Sequence, residues 1–123
     1  MDACEKYTPV LEYFGENRRP GPSLGLATRK SGYIFHNHLP VFQEILHGSK
    51  RWILSAKKPS GLPERYSAAQ WLKDVYPTID HTEEFYDCTI RPGDIIYVPD
   101  NMYHLTVNIA DTVFMSSFEY FSK

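Results

Sequence analysis

Cysteine is nearly absent from this 123-residue chain. Cys4 and Cys88 allow at most one disulfide, so the fold is not a disulfide scaffold, and two thiols fix no redox compartment. No run of 18 or more apolar residues occurs, so no helical membrane span is expected. The first residues, Met1 to Lys6, lack the basic start and apolar stretch of a signal peptide. As it stands, the chain is expected in the cytosol. Charge of neither sign predominates. A formal net charge of −2, with only short basic pairs at Arg18-Arg19 and Lys57-Lys58, leaves no footprint for nucleic acid or for an acidic membrane surface. Internal repeats and low-complexity segments are missing, which excludes solenoids and disordered tails.

What is abundant is aromatic. Nine Tyr and seven Phe bring the aromatic share to 15%, a bias toward strands and a stacked β core over a helical bundle. One domain is expected at this length. Residues 1–22 read as a leader broken by Pro9, Gly15, Pro20, Gly21 and Pro22, with Leu11, Tyr13 and Phe14 available to lie against the body. The domain proper is placed at 23–123. Its first strand is expected over Ser23–Thr28, and Arg29 to Gly32 turn it back.

The next strand is expected over Tyr33–His38. Strict alternation would put Tyr33, Phe35 and Asn37 on one face and Ile34, His36 and His38 on the other. Val41–Ala56 reads as a hairpin around Gly48-Ser49, and Lys50 shares a face with Trp52 and Leu54, directed inward. Residues 57–87 are polar and proline-bearing, an insertion carrying one helix at about 67–76. Ser67 with Gln70 three residues on forms a capping box, and Pro77 stops the helix. The acidic run Asp80–Glu84 is a solvated loop. Phe85–Ile90 returns to strand, and Thr112–Phe118 closes the domain after a turn at Ile109-Ala110-Asp111.

Between these lies Arg91–Asn108. Pro92-Gly93 turns the chain, Asp94 to Val98 alternates on a β period, Pro99 to Asn101 turns it again, and His104 opens a further strand. About eight short strands and one helix point to a small antiparallel barrel or jelly roll with a pocket at one mouth.

His36 and His38, two apart on a strand, would set both imidazoles on one side, roughly 7 Å apart. With His104 they make three nitrogen ligands from two strands, able to hold a divalent metal and leave positions open. The spacing of His36 and His38 alone fits two half-buried polar residues equally well. Glu44 is a further candidate carboxylate. Thr106 and Asn108 share the face of His104 and line either a pocket or an ordinary strand interface.

These residues carry a resemblance. Gly93, Pro99, Asn101, His104 and Asn108, at gaps of five, one, two and three residues, resemble the second cupin motif, with Asn101 where glycine is usual. Phe35-His36-Asn37-His38 followed by Gly48-Ser49-Lys50-Arg51-Trp52 is similar to the jumonji C (JmjC) branch of that superfamily. The likeness runs from about Tyr7 to Phe118 and includes Trp71–Pro77, Cys88–Gly93 and Asp111–Phe114. It implies a mainly β fold, the double-stranded β-helix of Fe(II)- and 2-oxoglutarate-dependent oxygenases.

Carried over residue by residue, the resemblance matches His36 and His104 to the family's two metal-binding histidines, and His38 completes the candidate metal ligands. It matches Lys50 to the lysine that binds the far carboxylate of 2-oxoglutarate; Thr106 and Asn108, on the face of His104, are the further cosubstrate-binding candidates. The departure is His38, which stands where active members carry Asp or Glu. That replacement implies weak or absent oxygenase activity and a binding or regulatory role toward a protein partner. Two alternatives stand beside it: an active hydroxylase of protein side chains, and a three-histidine cupin enzyme that needs no 2-oxoglutarate. Relatives of this branch carry further strands and an N-terminal signal. The resemblance therefore implies a truncated chain and, for a longer form, the lumen of the endoplasmic reticulum.

Overall fold

Aromatic and β-branched residues alternating with polar ones build eight strands that wind into two facing four-stranded sheets. The computed structural model describes residues 18–59, 66–79 and 85–121. In chain order these hold β1 (Arg18–Ala27), β2 (Gly32–His36), β3 (Val41–His47), β4 (Lys50–Ser55), helix α1 (Ala68–Asp74), a 3-10 turn (Tyr76–Thr78), β5 (Tyr86–Ile90), β6 (Ile95–Val98), β7 (Tyr103–Asn108) and β8 (Thr112–Phe121). One sheet has the order β1-β8-β3-β6 and the other β2-β7-β4-β5, with every pairing antiparallel. Successive strands therefore change sheets at every step but β4 to β5. This winding is the double-stranded β-helix expected from the sequence. The leader side chains Leu11, Tyr13 and Phe14 and the acidic run Asp80–Glu84 lie outside the described residues.

The hairpin expected over Val41–Ala56 does not form. β3 pairs with β6 and β8, whereas β4 pairs with β5 and β7 in the opposite sheet. Gly48 makes the crossing, at φ +81, where a Cβ would stand 2.2 Å from the Asp111 carbonyl oxygen. Only glycine combines that conformation with that approach. β1 begins at Arg18, five residues before the expected Ser23, and includes Pro20 and Pro22. Among the described residues its neighbour is β8 alone, so prolines are tolerated on this edge strand.

Two apolar clusters hold the fold. Val41, Ile45, Trp52, Leu54, Ile90 and Val98 fill the space between the sheets. Phe35, Ile53, Leu105 and Val107 cover the outer face of the second sheet and receive Ala68 and Trp71 of α1. The helix starts where the sequence places it. The Ser67 hydroxyl accepts from the Gln70 amide, and the Gln70 side chain accepts from the Ser67 amide, both at 3.2 Å. Trp71, 1% exposed, is the residue that ties the insertion to the sheet. Each such side chain contributes roughly 1.5–3 kcal/mol by leaving water.

Candidate metal centre

β7 places its side chains by simple alternation. Leu105 and Val107 face α1, while His104, Thr106 and Asn108 face the barrel interior. The turn before it depends on Asn101, whose φ of +62 is a left-handed conformation that asparagine tolerates better than most residues. An asparagine therefore serves where the motif usually has glycine.

β2 does not alternate. Tyr33 pairs with Thr106 and His36 with His104, so one extra residue is accommodated between them. The bulge sends both Ile34 and Phe35 to the helix-side cluster and returns Tyr33 and His36 to the cavity side, where Tyr33 stays exposed at the rim. This corrects the expected faces, on which Tyr33 went with Phe35 and Ile34 with His36. His38 lies beyond the end of β2, in the connection to β3, so its approach to His36 owes nothing to a shared strand face.

The three imidazoles converge nonetheless. A ligating nitrogen from each of His36, His38 and His104 lies within 4.8 Å of the others. Each Nδ1 meets a backbone carbonyl: His36 that of Ile34 at 2.8 Å, His38 that of Leu39 at 2.7 Å, and His104 that of Met102 at 2.9 Å. A carbonyl only accepts, so each Nδ1 carries a proton and Nε2 is the atom each ring can offer as a ligand. His104 and His38 bring these Nε2 atoms to 3.1 Å. Two bare lone pairs at that distance would repel, so the contact calls for a proton or a metal ion between the rings. Two nitrogens bound ~2.0–2.1 Å from one ion are about 2.9–3.4 Å apart, depending on the angle, so the set fits a metal. Burial pushes the His104 pKa down to about 4, with the Met102 carbonyl opposing and the two neighbouring histidines adding to the effect, which keeps this ring neutral at pH 7.

Lys50 is the second feature. It is 4% exposed, and burial lowers its pKa to about 7. Its ammonium donates to Gln43 Oε1 at 2.7 Å, and Gln43 Nε2 donates in turn to Ser116 Oγ at 2.9 Å. The same nitrogen sits 3.3 Å from the centre of the Phe114 ring. Gly25, opposite Phe114 in β1, makes this possible: a Cβ there would stand 2.1 Å from the ring. Phe114 therefore lies across bare backbone as a platform for the lysine.

Lys50 and the three histidines line one cavity of about 440 Å³, together with Gln43, Trp52 and others; no Asp or Glu is among its described lining residues. Thr106 lines this cavity and an adjoining one of about 410 Å³. Asn108 borders only the second, where its amide nitrogen donates to the carbonyl and hydroxyl of Ser31 at 3.0 and 3.1 Å. Glu44 projects to the opposite face of β3 from Gln43 and is outside the cluster. Gln43 and Phe114 escaped the sequence reading. The available signal was that Gln43 lies two positions from Val41, on the strand face that enters the core.

Comparison with known proteins gives a consistent set of similarities. A family signature described as JmjC domain matches residues 26–122. JmjC domain-containing protein 8 of Homo sapiens is 40% identical over 101 residues, covering 80% of this chain and 38% of that protein. Lysine-specific demethylase JMJ21 of Arabidopsis thaliana is 30% identical over 115 residues, covering 80% of this chain and 12% of that protein. The chain thus spans less than two fifths of the length of these curated relatives. Among solved structures, the Escherichia coli ribosomal oxygenase YcfD, in complex with cobalt and succinic acid, superposes with a TM-score of 0.64 at 18% identity over 98% of this chain and 28% of that one. The Mn(II) oxalate decarboxylase of Bacillus subtilis superposes at 0.57 with 14% identity, over 96% and 24%. At these identities the two structures report the fold alone.

Proposed function

The chain belongs to the JmjC domain family, and from that premise we propose that it is a metal-binding JmjC cupin with little or no oxygenase turnover, acting as a binding or regulatory protein toward a protein partner. The observation that carries this reading is the convergence of three imidazoles with their tautomers fixed and no carboxylate among them.

His36, His38 and His104 would hold a divalent ion, iron or another, through Nε2. When bound, such an ion supplies a Lewis-acid centre with positions open to a small ligand. The backbone carbonyls of Ile34, Leu39 and Met102 aim the three rings and add to their basicity. Lys50 would take a carboxylate of 2-oxoglutarate or a related acid. Its ammonium lies over the Phe114 ring and donates to Gln43, which Ser116 holds in turn. Trp52 and Val41 give the same cavity apolar walls. His38 is the reason for low turnover. A neutral ring in place of an anion leaves the site one charge more positive and makes a ferrous ion a poorer electron donor.

Anaerobic titration with Fe(II) and then 2-oxoglutarate, followed by admission of air, tests the reading. One equivalent of metal is expected to bind, binding should be lost in His104→Ala, and succinate should not accumulate over many turnovers. Sustained conversion of 2-oxoglutarate to succinate would favour an active hydroxylase. Metal binding that 2-oxoglutarate never alters would favour a three-histidine cupin of other chemistry. Absence of metal binding would overturn the reading outright.

A further inference from the structure

The function proposed above uses Lys50 only as a positive charge, yet its surroundings suit the uncharged amine as well. The residue is 4% exposed, and it borders both cavities, of about 440 and 410 Å³. A small molecule inside either cavity therefore meets the amine, while little of it meets the outer surface. Both of its short contacts are with neutral groups. Nζ donates to Gln43 Oε1 at 2.7 Å and lies 3.3 Å from the centre of the Phe114 ring. Neither contact requires a charge, because an amide oxygen accepts from an amine as from an ammonium, and an N–H rests on an aromatic face in both states. Gln43 is itself held by Ser116, and Phe114 lies across Gly25, so the nitrogen is fixed by two groups that are fixed in turn. Burial brings its pKa to about 7. About half of it is then free amine at neutral pH, against about one molecule in a few thousand for an ordinary lysine.

A free amine that gives one hydrogen to Gln43 keeps its lone pair for an electrophile. We propose that Lys50, held by Gln43 and Phe114 where it borders the two cavities, is a nucleophile that condenses with a small aldehyde or unhindered ketone to form an imine. The amine nitrogen adds to the carbonyl carbon, and the carbonyl oxygen takes up a proton. The resulting carbinolamine loses that oxygen as water, so a C=N bond replaces the C=O bond. One amine and one carbonyl compound give one imine and one water, with no oxidant or reductant. The walls set the class of partner, since Val41, Trp52 and Phe114 favour a short apolar chain over a charged one. The protonated form of Lys50 is still able to hold a carboxylate. The inference therefore goes beyond the function proposed above and does not depend on the imidazoles binding a metal.

Butyraldehyde with cyanoborohydride, which reduces an imine to a stable secondary amine, serves as the probe. It is applied to the full 123-residue chain, and peptide mass mapping gives the rate at each lysine. The exposed Lys30, Lys57, Lys58 and Lys73 are internal references. At pH 7, Lys50 is expected to be labelled about tenfold faster, or more, than any of these four. The advantage should shrink by pH 9, where its own free-amine fraction has levelled off and theirs still climbs. The titratable groups that share its two cavities are Tyr33, His36, His38 and His104; the remaining described lining, from β1, β3, β4, β7 and β8, is uncharged. An aldehyde-bearing polymer too large for the cavities should reverse the order and leave Lys50 unlabelled. In Gln43→Glu a carboxylate replaces the amide at the same length and holds the proton on the amine. Labelling of Lys50 at pH 7 should then slow by about tenfold while the four reference lysines keep their rates. Labelling of wild-type Lys50 no faster than the reference lysines would overturn the proposal, and so would a rate unchanged in Gln43→Glu. The wild-type comparison is decisive by itself if that variant folds poorly. Either failure leaves the metal centre standing, since no step of the labelling uses an ion.

Discussion

The two faces of the β2-β7-β4-β5 sheet carry opposite chemistry on the same strands. Outward, Phe35, Ile53, Leu105 and Val107 are apolar and sealed by Trp71 of the helix. Inward, His104, Thr106, Asn108 and Lys50 are polar, and each is buried to 5% exposure or less. Around these four residues the wall is therefore more apolar outside than inside, while Trp52, Leu54 and Ile90 keep the rest of its inner face apolar. Stability comes from the covered outer face and from this inner cluster, while the polar stretch of the inner face gives up stability to hold groups that have chemistry to do. Buried polar and charged side chains cost free energy unless paired, and natural chains keep them where a ligand will pair them. The lesson is one of division of labour across a single pleated layer, one residue apart.

The difference should be largest for Trp71→Ala, which opens the outer cluster. A loss of about 3–5 kcal/mol is expected in chemical denaturation, enough to unfold a marginal domain. An inner-face substitution should act with the opposite sign. Lys50→Met removes a buried cation that has no carboxylate partner among the described residues, and it should leave stability at pH 7 unchanged or raised. A loss above about 2 kcal/mol in Lys50→Met would erase the distinction between the faces.

The pH dependence sharpens the same point. Burial depresses the folded-state pKa of Lys50 to about 7, below its unfolded value. Between those values the unfolded chain binds more protons, so stability should rise with pH above about 7, at no more than about 1.4 kcal/mol per pH unit. Below pH 7 the lysine is protonated in both states and the penalty is present in full. Lys50→Met should flatten this limb. The comparison is cleanest between pH 7 and 8.5, before Cys88, whose thiol pKa is raised by burial, acts in the reverse sense.

Smaller effects test how the insertion is fastened to the outer face. Ser67→Ala removes the helix cap and should cost about 1 kcal/mol. Smallest of all is Arg51→Ala. Its paired contacts with Asp87, at 3.0 and 2.7 Å, are about one third exposed, and Tyr76 adds a third member. A cost of about 0.2–1 kcal/mol, lower at high salt, is expected by the same denaturation measurement.

Much of this was legible in the chain itself. The strand texture, the capped helix at Ser67, the inward Lys50 and the histidine triple at positions 36, 38 and 104 all follow from local rules: period-two alternation, capping chemistry and proline turns. These rules act over a few residues, so one sequence suffices to read them. Partnership was not legible. Nothing local says that β3 and β4 part company at Gly48, because each strand's partners lie dozens of residues away. Nor does anything local show the β2 bulge, which puts Tyr33 and His36 on the cavity side together. His38 was placed with His36 for the wrong reason, a shared strand face, and it reaches the cluster from a connecting loop. The sequence by itself determined which side chains carry the chemistry and which strands present them. Only the tertiary structure decided which pairs meet, that Gln43 and Phe114 hold Lys50, and that the described cavity lining contains no carboxylate. Contact across a barrel depends on register, and register is settled by the whole set of strands closing together.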